Sequence, residues 1–189
     1  MTKQEMYKEV TLEVHRLRNE LVEHGFNVYP IRSVKLSTRC TRRFGLCTYH
    51  RNRHGDIAEV TITISDICFH STENCLRDTI LHELCHAMPN GQNHRAGFQN
   101  YARKVMRLYE NCHVGTHTTR EESEKKNEYI KSIGRYRDYK YKVTCNGCGH
   151  SYYYKKETRL IKLLKAHKST DTWHCIKCKH NKFKLEILQ

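Results

Sequence analysis

The chemistry-bearing stretch is His82-Glu83-Leu84-Cys85-His86, followed eight residues later by His94. Two histidines four apart on a helix project from one face, so their imidazoles can close on a single Zn²⁺. Glu83, beside the first of them, is placed to take a proton from a water at that metal. His94, beyond the helix, completes three protein ligands and leaves a fourth position open, the pattern of a hydrolytic rather than a structural site. In a chain with 14 histidines this spacing also arises by chance, so its surroundings have to carry the reading.

A second set is Cys145-Asn146-Gly147-Cys148 and Cys175-Ile176-Lys177-Cys178. Paired C-x-x-C knuckles predict four thiolates around a structural Zn²⁺, closed to chemistry. A module this short has little core of its own, so the metal must supply much of its folding energy. The chain is thus expected to carry two zinc ions, one catalytic and one structural. The other six cysteines, at 40, 47, 68, 75, 85 and 112, read as small buried side chains.

A third set is basic and aromatic. Residues 131–168 hold Lys131, Arg135, Arg137, Lys140, Lys142, Lys155, Lys156, Arg159, Lys162, Lys165 and Lys168 against only Asp138 and Glu157. Tyr136, Tyr139, Tyr141, Tyr152, Tyr153 and Tyr154 are interleaved with them. Cations that meet phosphate and rings that stack on exposed bases suit single-stranded or junction DNA. The alternative is a solvated ribbon whose tyrosines pack on its own sheet.

Elements must position these groups. Met6, Val10, Val14, Leu17 and Leu21 repeat at spacings of three and four, predicting a helix over 3–23. Val34 and Leu36, then residues 58–64, alternate as strands of a small antiparallel sheet, with a polar turn between 50 and 56. Ser71-Thr72-Glu73 and Pro89-Asn90-Gly91 bracket a helix over about 73–88. On it Leu76, Ile80, Leu84 and Ala87 form an apolar stripe, with His82 and His86 turned away from it. Phe98, Ala102 and Val105 extend a further helix to about 110. Residues 120–131 are charged and fit a helix or a tether; residues 157–167 fit a short helix, and Phe183, Leu185 and Ile187 a closing strand.

Composition bounds the partners. Lys and Arg outnumber Asp and Glu by 34 to 20, a formal charge of +14. Residues 120–189 carry 18 basic and 8 acidic side chains, against 16 and 12 before them. That excess favours acidic partners, nucleic acid first. The N-terminus has no apolar signal region and no run suits a membrane span, so a cytoplasmic monomer (nucleoid-associated, or nuclear in a eukaryote) with no membrane partner is expected. Ten cysteines in such a compartment point to metal rather than disulfides.

Taken together, these residues resemble the SprT-like metalloprotease family. The features that carry the likeness are the N-terminal helix, the run Cys40-Thr41-Arg42-Arg43-Phe44-Gly45, the β-rich approach to His82-Glu83-Leu84-Cys85-His86-Ala87, the pair His94/Phe98 and the C-terminal ribbon. The chain departs from the family pattern where Arg95 follows His94, which leaves Glu110 as an alternative third ligand. The resemblance implies an α+β, zincin-like fold: a metalloprotease domain over 1–119, a charged linker or helix over 120–142 and a zinc ribbon over 143–189. It implies that His82, His86 and His94 bind catalytic zinc, that Glu83 is the general base, and that proteins held on DNA are the substrates, as in DNA–protein crosslink repair. The residues alone support a zinc hydrolase with a basic ribbon. Two other readings stand: a non-catalytic nucleic-acid-binding ribbon protein, and a regulatory metallopeptidase with one dedicated protein substrate. His113 and His117 are candidates for stabilising the oxyanion.

Overall fold

The structure, a computed structural model, describes residues 1–134 and 139–188. It divides into two compact units, Met1–Arg135 and Tyr136–Gln189. Arg135, Tyr136, Arg137 and Asp138, part of the basic-aromatic stretch, lie outside the described residues.

In the first unit, helix α1 (Lys3–Glu23) starts at a capping box in which Thr2 and Glu5 satisfy each other's backbone N–H groups. Its apolar period puts Val10, Val14, Leu17 and Leu21 fully in the core, each contributing about 1.5–3 kcal/mol by leaving water. Strands β1 (Ile31–Ser37), β2 (Gly45–Arg51) and β3 (Ile57–Ser65) form a sheet in the order β1-β3-β2. The expected antiparallel sheet is mixed: β2 pairs with β3 antiparallel, but β1 pairs with β3 parallel. The β2–β3 hairpin is closed by Asn52, whose side-chain oxygen accepts the N–H groups of His54 and Asp56. Residues 38–44 then carry the chain from β1 to the far edge of β3. Alternation shows which face of a strand is buried, whereas its direction depends on this connection.

After a 3₁₀ turn (Asp66–His70), helix α2 runs Cys75–His86 and α3 runs Ala96–Leu108. Helix α2 begins two residues later than the sequence cue: Asn74 precedes it without a side-chain cap, its amide bonded to the Asn111 carbonyl. It buries Ile80, Leu81, Leu84 and Cys85, and α3 buries Phe98, Ala102 and Val105 in the same core.

Helix α4 (Arg120–Ser132) is almost wholly polar, yet it forms because Thr119 and Glu122 make a second capping box and two i,i+4 ion pairs brace it. It belongs to the first unit. Ile130 is buried, the Tyr129 ring stacks on His70 at 3.8 Å, and Lys126 lies over the Phe44 ring.

The second unit is a three-stranded antiparallel sheet, β4 (Tyr141–Cys145), β5 (Ser151–Tyr154) and β6 (Phe183–Ile187), in the order β5-β4-β6. Helix α5 (Arg159–Lys165) packs on it through Leu160 and Ile161, which with Val143 form the buried core. No helix among the described residues is long and apolar enough to cross a membrane.

Candidate active site and metal centres

Helix α2 presents His82 and His86 from one face, and the turn after it returns His94 to them. Their Nε2 atoms make a near-equilateral triangle with edges of 3.2, 3.1 and 3.1 Å. Three ligands about 2.0–2.1 Å from one tetrahedral ion stand about 3.3 Å apart, so the triangle fits Zn²⁺. His86 Nδ1 is 2.6 Å from the Gly91 carbonyl oxygen and His82 is hydrogen-bonded to the Gly115 backbone. Those outward bonds put the protons on the outer nitrogens and turn lone pairs inward. Burial, with the neighbouring imidazoles adding to it, pushes His82 down to about 3 and lowers His86. His82 and His86 are therefore held neutral with lone pairs turned toward the centre of the triangle, an arrangement that a cation resolves.

The packing behind the triangle is equally specific. Phe98, buried on α3, lies 4.5–4.8 Å from all three imidazoles, centroid to centroid. His94 is held at the start of α3 by Gln99, whose side-chain amide donates to the His94 carbonyl at 3.2 Å. A side chain at Gly91 would overlap the Cys85 carbonyl oxygen, so only glycine lets this backbone reach His86. Glu110 is outside the group; the ligand candidates that come together are His82, His86 and His94.

Glu83 is 5% exposed, wedged between α2 and the edge strand β2. Burial pushes its carboxyl up to about 8, opposed by the Cys47 backbone N–H and the positive charge of Arg43. A divalent cation nearby acts in the same direction as those two. Gly45 explains how the carboxylate fits: a Cβ there would stand 2.5 Å from Glu83 Oε1 and 2.7 Å from its Cγ. Tyr49, further along β2, donates its hydroxyl to the His86 carbonyl at 3.2 Å and ties strand to helix. Gly45→Ala is therefore expected to displace Glu83 and lower kcat by about 10²-fold, with the metal content unchanged; steady-state kinetics beside metal analysis checks both.

These groups line a cleft of about 490 Å³ whose walls include Arg42, Arg43, Gly45, Tyr49, His113 and His117. Both oxyanion candidates from the sequence, His113 and His117, thus face the same space as the triangle.

In the second unit the knuckles bring Cys145, Cys148, Cys175 and Cys178 together, all four sulphurs within 4.8 Å of one another. The 145–178 and 148–175 pairs stand at 3.5 and 3.6 Å, close to the roughly 3.8 Å spacing of four thiolates around zinc at about 2.3 Å. The Tyr152 hydroxyl, 3.2 Å from Cys175 Sγ, lowers that thiol and favours the ligating thiolate. Both groups can hold metal ions of a kind compatible with zinc, and they are the two such groups among the described residues. The other six cysteines are free and buried or half-buried.

The basic-aromatic residues divide by strand alternation. Tyr152 and Tyr154 turn inward with Tyr141 onto the ribbon core, so these three rings pack on the module's own sheet. Tyr153 and Tyr139 stay exposed, their centroids 5.6 Å apart, with Lys155 Nζ 5.1 Å from the centroid of the Tyr139 ring. Lys142 pairs with Glu186, and Lys165 with Glu157. Lys140, Lys156, Arg159 and Lys162 are exposed.

The family model of the SprT-like family matches residues 11–120, more than half of the chain and all of the histidine site. The chain belongs to the SprT-like family. That family is associated with metallopeptidase activity, and its matched region ends before the ribbon. No curated protein and no solved structure matches this SprT-like chain.

Proposed function

We propose that this SprT-like chain is a zinc-dependent endopeptidase of zincin type acting on DNA-associated proteins, in repair of DNA–protein crosslinks. Zinc is held by His82, His86 and His94 for catalysis and by the four ribbon cysteines for structure. The observation that carries the reading is the Nε2 triangle with the Glu83 carboxylate buried beside it. A purely structural site has no use for that carboxylate.

Bound at the triangle, zinc would supply Lewis acidity to a water and to the scissile carbonyl. Glu83 takes the proton of the attacking water on its carboxylate and passes it to the leaving amide nitrogen. Strand β2 is a sheet edge that lines the cleft, so a substrate in extended form adds to it as a further strand. Gly45 and Cys47 hold Glu83 against that edge, next to the bond to be cut. His113 or His117 donates to the developing oxyanion.

Support for DNA comes from the charge excess of residues 120–189 and from the exposed Tyr139–Tyr153 pair with Lys155. Such a surface suits single-stranded or junction DNA, and the proposed place of work is chromosomal DNA in a reducing compartment. The test is cleavage of a basic DNA-binding protein with and without single-stranded DNA. Cleavage stimulated by DNA, abolished in Glu83→Gln, and with DNA affinity weakened by about 1–3 kcal/mol in Tyr153→Ala, supports the proposal. DNA binding without cleavage favours a binding protein, and cleavage of one partner without any DNA effect favours a regulatory peptidase.

A further inference from the structure

The segment after α3 crosses the cleft wall without regular secondary structure, yet the first turn of α2 grips it at three successive points. Asn74 Nδ2 donates to the Asn111 carbonyl at 3.4 Å. Arg77 Nη2 donates to the carbonyls of Glu110 and Asn111 at 3.3 and 2.9 Å. Asp78 Oδ2 accepts the His113 backbone N–H at 3.1 Å.

Asp78 is the member with most at stake. It is 8% exposed, and burial raises its carboxyl, so the position is a costly one for an acid. It sits one turn before His82 on α2, where side chains four apart lie on one face. The segment it holds leads within two residues to Gly115, whose backbone is hydrogen-bonded to His82. It also carries His113 and His117 along the cleft. A carboxylate is suited to this work because it is a strong acceptor for a backbone N–H, and its second oxygen, Oδ1, stands 3.5 Å from Arg77 Nε on the same turn.

We infer that Asp78 is a positioning residue for the metal centre: by anchoring residues 112–113 it holds the Gly115 carbonyl where it fixes the His82 ring. Asp78 is not one of the three side chains that come together as metal ligands, and it acts through this segment. The inference rests on the reading of the histidine triangle as a metal site. Groups that hold a ligating imidazole by its second nitrogen commonly govern metal affinity by about 10–100-fold.

The test is competition of the full chain with a zinc chelator, with Cys175→Ala in the background so that only the histidine site is read. Asp78→Ala is expected to release zinc at a chelator concentration about 10–100-fold lower than the parent. Asp78→Asn, which keeps an acceptor for the His113 N–H, is expected to recover most of that loss. Amide exchange at residues 112–115 of the metal-free protein should accelerate in Asp78→Ala and not in Asp78→Asn. Equal release from the Asp78→Ala and parent chains overturns the inference, as does equal weakening by Ala and Asn, which would mark a charge effect. Should Asp78→Ala not fold, Arg77→Ala, which removes two anchors of the same segment, must show the same faster exchange and weaker zinc; unchanged behaviour overturns the inference. His82→Ala keeps the two failures apart: no zinc lost from it sinks the metal site itself, whereas zinc lost there but held in Asp78→Ala sinks only the anchor.

Discussion

Glu83→Gln is expected to lower peptide hydrolysis by about 10²–10⁴-fold, the usual contribution of a positioned proton acceptor, while both metal sites stay filled. The amide keeps the volume of the carboxylate in the slot against Gly45 but cannot accept the proton of an attacking water. It also removes a group that burial alone makes a costly carboxylate, its own value standing near 8. A buried charge given up in this way leaves folding intact or improved. The signature is therefore a split: catalysis lost, thermal stability unchanged or higher, metal retained. Kinetics, metal analysis and thermal melting on one preparation read all three. A variant that keeps wild-type turnover excludes Glu83 as the proton acceptor.

Cys145→Ser is expected to unfold the second unit while leaving the first intact. The apolar core there is three fully buried residues, Val143, Leu160 and Ile161, under a sheet of three short strands. A core of that size cannot offset the ordering entropy of the segment. Closed tetrahedral zinc sites in small modules are worth about 10–16 kcal/mol, so an ion held by the four cysteines would be the main source of stability. Cys145 is itself buried and is the last residue of β4, so the substitution removes a ligand where sheet and metal site meet. Amide exchange across residues 139–188 should rise to that of an unfolded chain, with α1 to α4 unchanged and one metal lost per chain. A ribbon that stays protected after this loss would mean that the apolar core suffices without metal.

How much of this could be read beforehand depends on the range of the interaction. The i,i+4 histidines and the two C-x-x-C knuckles are local patterns, so their ligating geometry follows once the helix and the turns form. The period of α1, the burial of Phe98 and the strand at Phe183–Ile187 are legible for the same reason: one face of each element is apolar. The direction of β1 was not, because either orientation buries the same residues. The inward turn of Tyr152 and Tyr154 follows from strand alternation, but only the position of α5 shows which face of that strand is covered.

By itself the sequence determined which side chains can bind metal, since ligand type and spacing along one helix face are properties of the chain. It also determined the SprT-like character of residues 11–120 and the pairing of the two C-x-x-C knuckles in the ribbon. Only the tertiary structure decided that His94 rather than Glu110 closes the triangle, that Gly45 and Cys47 seat Glu83 beside it, and that Asn74, Arg77 and Asp78 anchor the segment behind His82. Those contacts join residues far apart in the chain, and their energies come from burial and hydrogen bonds that exist only when the core of α1, α2, α3 and the sheet has assembled.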